Sequence, residues 1–350
     1  MSHMTYLEAS VVGLIQGVTE LFPVSSLGHN VLIPALIGGS WASDLNVAAP
    51  ESPYLAFIVG LHVATAIAMM IYFWRDWVRI IGGFFSSIRD REIATVDQKM
   101  AWMIILATVP VGLVGVVFEH EFRVLFGKPI RAAIFLLING LILYAGERFR
   151  TKKSLAADAE LAAETEPASA RAVVADAVMA DSVASDTRAV PTAGARPGVA
   201  AHASGQRAMR QQEASRAVQA DRRLVTIGYW QTLIIGAAQV LALLAGISRD
   251  GVVMVTGMFR GLSRQDAARF SFLLSTPVIL AAGVLKVPDL TGPLGNGIHG
   301  QIVVGSILSG VGAYLSVRFL MKYFQTRTLT PFAIYCVVFG LGSIIYLSVK

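Results

Sequence analysis

The sequence predicts an all-α polytopic membrane protein built from two inverted-topology repeats, each a re-entrant helical hairpin plus three transmembrane helices. Three observations carry this. Of the 350 residues, 55% are hydrophobic and only 15% charged, whereas soluble domains carry about 25% charged residues. Six long stretches are nearly free of charge and lack the polar face of a soluble core helix. Two copies of one polar-apolar pattern, far apart in the chain, each precede three of these stretches.

The first repeat occupies residues 1–150. Its hairpin covers about 5–37, and its spans cover about 54–74, 101–118 and 131–147. A helix needs roughly 20 apolar residues to cross a bilayer, so the shorter runs rely on flanking side chains that snorkel to water. Residues 151–221 are rich in Ala, Ser and charge and contain no aromatic residue. They are too polar to span and too poor in large apolar groups to build a core, and are expected to form a disordered cytoplasmic linker. The second repeat occupies 222–350, with a hairpin at about 224–260 and spans at about 270–287, 302–320 and 331–349.

Orientation follows from Lys and Arg in the loops. Arg75, Arg79, Arg89, Arg91 and Lys99 follow the first span. Arg148, Arg150, Lys152 and Lys153 open the linker, and Arg222 and Arg223 close it. Arg318, Lys322 and Arg327 mark a third basic loop. All three are placed in the cytoplasm, and the loops 119–129 and 288–300 outside. With these sides assigned, neither 5–37 nor 224–260 makes a net crossing. Each enters and returns on its own side, from opposite leaflets, so their tips meet near the midplane. The net charge of +6 is read as cytoplasmic loops and lipid head groups, not nucleic acid. No basic segment followed by a cleavable apolar stretch opens the chain, so no signal peptide is expected. The single cysteine, Cys336, cannot form an internal disulfide.

The first tip reads "QGVTELFPVSSLGHN". Gln16 and Glu20 are four apart and share a helix face, where they can hold a cation or a water. An ionisable group at membrane depth marks function by default, although both residues could instead snorkel to water. Pro23 stops the helix. Ser25, Ser26 and Gly28 then supply hydroxyls and free backbone N–H groups at a new helix start, an anion site. Either serine could equally be an N-cap. His29 can move protons near neutral pH or be structural. The second tip reads "AGISRDG", with Gly246, Ser248, Arg249 and Asp250. Arg249 requires an anion, whether a bidentate phosphate, Glu20 or Asp250. Asp250 is open between a partner of Arg249 and a helix cap. The assembled set suits phosphoryl transfer, where positioning and charge stabilisation dominate. His62 is less informative, and Arg260, Arg264 and Arg269 read as cytoplasmic-side anchors.

These motifs resemble the undecaprenyl-pyrophosphate phosphatase family, also called the bacitracin-resistance family. Its first motif, Glu or Gln, three residues, Glu, then Pro-x-Ser-Ser-x-Gly-His, is met by Gln16, Glu20, Pro23, Ser25, Ser26, Gly28 and His29. Its second, Pro-Gly-x-Ser-Arg-Ser-Gly, is met by "AGISRDG". Further likeness lies in "HVATAIAMMIYFWRDW" and "GLSRQDAARFSFLLSTPVILAAG". The resemblance implies hydrolysis of undecaprenyl (polyprenyl) pyrophosphate to the monophosphate, recycling the cell-wall lipid carrier. It implies a multi-pass protein of the bacterial plasma membrane with its active site open to the outer side.

By motif, Glu20 binds metal or does acid–base work, and Ser26 is nucleophile or phosphate ligand. His29 handles protons, and Arg249 clamps phosphate. Ser25, Gly28, Gly246 and Ser248 complete a phosphate-binding set. The implied cofactor is a divalent cation, Mg or Ca. Three departures stand out: Ala245 for Pro, Asp250 for Ser and Leu27 for the frequent Thr. Asp250 is accordingly assigned with Gln16 and Glu20 as a metal ligand, compensating for Gln16 in place of Glu. Expected partners are the lipid pyrophosphate and the membrane, without nucleic acid, and a homodimer is left open. Rival readings are a lipid-phosphate flippase or transporter, and a paralogue acting on another isoprenoid pyrophosphate.

Overall fold

A computed structural model describes residues 4–47, 53–126, 128–165, 217–292 and 297–349. Among these, every regular element is helical. The chain opens with α1 (Tyr6–Thr19), α2 (Ser26–Ile37) and the short α3 (Gly39–Asp44). It continues with α4 (Pro53–Tyr72), α5 (Trp74–Asp90), α6 (Val96–Phe126), α7 (Pro129–Arg148) and α8 (Lys152–Thr165). After the undescribed segment come α9 (Ala217–Val225) and α10 (Gly228–Ala238), which tightens into a 3-10 turn at Gln239–Leu243. The last elements are α11 (Arg249–Phe259), α12 (Arg264–Thr291), α13 (His299–Tyr323) and α14 (Thr330–Val349).

Local chemistry sets the breaks. A capping box starts α1: Glu8 N–H donates to Thr5 Oγ1 at 3.2 Å, and Thr5 N–H donates to Glu8 Oε2 at 2.7 Å. Pro23 lacks an N–H and bars continuation of α1, so α2 restarts at Ser26. The α4–α5 junction turns by 87° and the α9–α10 junction by 96°.

Among the described residues, five single helical segments are long and apolar enough to cross a membrane, Val96–Phe118, Pro129–Arg148, Arg264–Val284, His299–Tyr323 and Thr330–Val349, and the two bent pairs pass the same test together. Exposed Val116, Ile307, Val338 and Ile345 line their outer faces, as lipid contact requires. This is a multi-pass membrane protein. The expected span at 54–74 corresponds to α4, a 20-residue helix that bends by 87° into α5. The expected loops 119–129 and 288–300 are shorter than their numbers, because α6 continues to Phe126 and α12 to Thr291.

The helices interlock across the two halves of the chain. α1 packs on α13 and α10 on α6, α4 packs on α12 and α13, and α7 packs on α14. Two of these contacts need glycine for close approach. A Cβ at Gly17 would fall 2.3 Å from the Ser309 carbonyl oxygen, and one at Gly236 would fall 2.3 Å from that of Ala107.

Charged networks tie the far ends of the bundle. Asp221 of α9, fully buried, accepts from Arg79 Nη2 at 2.7 Å and Arg269 Nη1 at 2.5 Å. Arg223 Nε donates to Asp266 at 2.9 Å. Arg269, expected to be an anchor, is therefore a structural counter-ion. The linker expectation for 151–221 is corrected at both ends, since α8 and α9 are packed helices. Ser154 Oγ donates to the Leu262 carbonyl at 2.6 Å, and Asp158 accepts from Arg264 N–H at 3.0 Å. The rest of the linker, 166–216, lies outside the described residues.

Overpacking a tight contact costs about 1–3 kcal/mol. Gly236→Val is expected to lower the melting temperature of the detergent-purified protein by several degrees. Gly82→Ala, which meets nothing within 4 Å, is expected to leave it unchanged or slightly higher.

Candidate active site

The two motif tips touch. Ser25 sits at φ 67°, a left-handed conformation uncommon for a residue with a Cβ. This turns its hydroxyl inward, where Oγ accepts from Gly28 N–H at 3.2 Å and from Gly246 N–H, on the other tip, at 3.2 Å. Gly246 adopts φ +112°, and a Cβ there would fall 2.4 Å from the Ala132 carbonyl oxygen. Glycine alone meets both conditions. Ser248 caps α11, accepting from Gly251 N–H at 3.1 Å. Asn139 of α7 bridges the tips: its Oδ1 accepts from Ser248 N–H at 2.9 Å and its Nδ2 donates to the Pro23 carbonyl at 3.0 Å. These bonds satisfy backbone groups that the broken helices leave orphaned.

Glu20 is the hub. It is 7% exposed. Its Oε1 receives the Arg249 guanidinium, and its Oε2 receives the Ser26 hydroxyl. Gln16 Nε2 donates to Oε2 at 2.9 Å, and His62 Nε2 lies 3.3 Å from it. Gln16 in turn accepts from Asn30 Nδ2 through its amide oxygen, at 2.6 Å. Of the open partners for Arg249, Glu20 is the one realised. The side chains of His62 and Arg249 are 26% and 17% exposed, so they form the accessible edge of the cluster.

His29 is placed differently. Its Nδ1–H donates to the Ser25 carbonyl at 2.7 Å, which leaves Nε2 to accept from the Tyr335 hydroxyl at 2.7 Å. The ring stacks against Tyr335 and Phe339 of α14. It lies next to the tip through Ser25 but faces α14, not Glu20. Beside it, Leu36, Ile334, Tyr335, Val338 and Phe339 line an apolar groove of about 550 Å³.

The residues expected to hold a cation do not converge as one cage. Asp250, 1% exposed, takes Ser271 Oγ and Ser275 Oγ on its Oδ1, each at 2.6 Å, and its Oδ2 has no hydrogen-bond partner among the described residues. The Glu20 oxygens face donors, and the Gln16 amide oxygen is engaged by Asn30. Among the described residues no group of three His, Cys, Asp or Glu side chains forms a metal site. Gln16, Glu20 and Asp250 thus do not fit a shared divalent cation in this arrangement, since a carboxylate ringed by cationic and neutral donors offers it no free oxygen pair.

Arg249 and Ser26 on one carboxylate, framed by paired tips, matches the motif resemblance, and comparison with known proteins agrees. The sequence model of the family described as bacitracin resistance protein BacA matches residues 9–171 and 168–342. The chain belongs to this family. A protein of Mycolicibacterium paratuberculosis named undecaprenyl-diphosphatase is 54% identical over 349 residues, covering 100% of this chain and 99% of the relative. A protein of Frankia alni named undecaprenyl-diphosphatase 2 is 52% identical, with 97% of each chain covered. One of Chromobacterium violaceum with that same name is 33% identical over 98% of this chain and 99% of its own.

One residue of the site was set aside by the sequence reading and two escaped it. His62, read as less informative, lies one span away from Glu20 in an apolar run, and its polarity there was the available signal. Asn139, in the middle of another apolar run, carried the same signal. Tyr335 carried none, because an aromatic residue in a span is unremarkable. Removing the double acceptor at Ser25 breaks one of the bonds that join the tips. Ser25→Ala is expected to cost about 1–2 kcal/mol, the range for a lost N-cap, read as a lower melting temperature. Asn139→Leu, which leaves two buried backbone groups unpaired, is expected to cost at least as much.

Proposed function

We propose that this BacA-family protein is an integral membrane phosphatase that hydrolyses undecaprenyl (polyprenyl) pyrophosphate to the monophosphate and inorganic phosphate, returning the carrier lipid to cell-wall synthesis in the bacterial plasma membrane. The observation that carries the reading is one buried carboxylate, Glu20, holding the Ser26 hydroxyl and the Arg249 guanidinium at once. Full-length relatives carrying the diphosphatase name support it.

Ser26 is the nucleophile and Glu20 its base. Ser26 Oγ attacks the terminal phosphorus while its proton passes to Glu20 Oε2. The bond from that phosphorus to the bridging oxygen breaks, the electron pair stays on the departing lipid monophosphate, and Glu20 releases its proton to that leaving group. Water then attacks the phosphoserine. Glu20 takes the water proton and passes it to Ser26 Oγ as phosphate leaves. Arg249 shifts from the carboxylate onto the phosphoryl oxygens, where a planar guanidinium binds bidentately. The starts of α2 at Ser26 and of α11 at Arg249 add positive dipole ends. His29, held by Ser25 and Tyr335, serves the α14 side of the site. The isoprenoid tail leaves along the apolar groove beside Tyr335 and Phe339, whose inner wall is the residue pair on His29.

Two inverted repeats, 1–150 and 222–350, with hairpins entering from opposite leaflets, account for the swapped packing. Each hairpin's first helix, α1 or α10, lies on the middle span of the other half. Arg79 of α5 and Arg269 of α12 meet on Asp221 of α9, which supports a common cytoplasmic side for these ends; the site is read as open to the outer side. A divalent cation, magnesium or calcium, remains the proposed cofactor, and among the described residues Gln16, Glu20 and Asp250 form no shared cage for it.

Purified protein in detergent is expected to release phosphate from long isoprenyl pyrophosphates. Ser26→Ala and Glu20→Gln are expected to lower kcat by about 10²–10⁴-fold, the span typical of lost acid–base or nucleophilic groups. Arg249→Lys is expected to lose on the order of 10²-fold, because a point charge replaces a fork. A chelator is expected to stop release in the presence of substrate. Magnesium without substrate is expected to leave the melting temperature unchanged. Lipid translocation across vesicles without phosphate release would replace this reading by the flippase.

A further inference from the structure

His62 of α4, which opens one of the stretches that resemble the family but was given no role, is brought to the centre by the geometry. Its Nδ1 lies 2.9 Å from the Ile58 carbonyl, an acceptor only, so Nδ1 carries a proton. Its Nε2 lies 3.3 Å from Glu20 Oε2. A bare ring nitrogen there would set two lone pairs against each other, so Nε2 also presents N–H. The Ile58 contact fixes the ring plane and aims Nε2 at the carboxylate. Glu20 is thereby gripped from four chain segments: Gln16 in α1, Ser26 in α2, His62 in α4 and Arg249 in α11.

The groups differ in what happens to them during turnover. On the proposed reading Arg249 moves to the phosphate and Ser26 becomes esterified. Gln16 and His62 are left to hold the carboxylate still. Gln16 shares the helix of Glu20, so it moves with it. His62 is the holder that stands on a separate span, and α4 is packed against α12 and α13.

We infer that His62 is a positioning residue for the reaction: its Nε2–H pins Glu20 Oε2 to the frame of α4, so that the carboxylate keeps its aim on the Ser26 hydroxyl when Arg249 engages phosphate. The inference rests on the phosphatase reading and deepens it. It requires an N–H donor at this point in space, not a proton that comes and goes. A glutamine amide nitrogen reaches close to where the histidine Nε2 lies, and it supplies that donor.

The test compares wild type with His62→Gln and His62→Ala in two assays. In phosphate release, His62→Ala is expected to lose about 10- to 100-fold in kcat, the size of effect a misplaced catalytic group produces, with KM within about threefold of wild type. His62→Gln is expected to stay within about threefold in both, at a similar melting temperature. In the second assay, a hydrophobic carbodiimide modifies carboxyl groups that lack strong donors, and peptide mass spectrometry reads its addition at Glu20. Labelling is expected to rise several-fold in His62→Ala and to remain at the wild-type level in His62→Gln. A glutamine variant as inactive as the alanine variant would overturn the inference, because the imidazole's own proton would then be needed. Wild-type kcat in His62→Ala, or unchanged labelling at Glu20, would overturn it as well. If wild type itself releases no phosphate, the phosphatase reading fails, and the labelling assay still decides whether His62 pins Glu20.

Discussion

A single carboxylate in an apolar helix bundle constrains the rest of this structure. An ionised group at membrane depth costs about 2.5–3.5 kcal/mol even on the mildest scales, and that cost is offset only where donors converge on it. Glu20 meets this condition by drawing Gln16, Ser26, His62 and Arg249 from separate stretches of the chain. Its partner Arg249 is equally unable to remain unpaired. The attraction between them joins the first tip to the second, so charge neutralisation and assembly of the site are one event. A soluble protein could leave either group to water. Here Glu20 is buried, so that option is closed to it.

The same physics governs the backbone at the tips. Helices that stop inside a bundle leave N–H and C=O groups unpaired, and where those groups are buried other side chains must receive them. Ser25 and Asn139 fill that role across the two tips, with Ser248 capping α11. The left-handed φ of Ser25 is a strained geometry of the kind that clusters at functional sites, and its two accepted N–H bonds explain why it persists. Asp250 holds two serine hydroxyls on Oδ1, and its Oδ2 has no hydrogen-bond partner among the described residues. It stands where the related motif has serine.

Far from the tips, a second set of charges performs a different task. Arg79, Asp221, Arg269, Arg223 and Asp266 join α5, α9 and α12. Glu147, Asp158 and Arg264 join α7, α8 and α12. Here the ions fasten the chain on either side of the long polar segment 166–216, so that this segment is connected to the bundle through helices docked at both of its ends.

Much of this was determined by the sequence alone. Long uncharged runs can only be spanning or deeply buried helices, and α6, α7, α12, α13 and α14 follow. The motifs around Glu20 and Arg249 named the residues that meet, because a charge in such surroundings needs a partner of opposite sign. Composition also marked 151–221 as unlike the rest, although it concealed α8 and α9 at its two ends, whose order rests on particular bonds to Leu262, Arg264 and Arg269. Tertiary structure alone decided which partner each group takes. His62 reaches Glu20 while His29 turns to Tyr335, and Asp250 turns to Ser271 and Ser275 instead of sharing a cation with Glu20. Spacing along one helix fixes a shared face, but donors on different helices are related only by how the helices cross, and that depends on side-chain packing summed over the whole bundle.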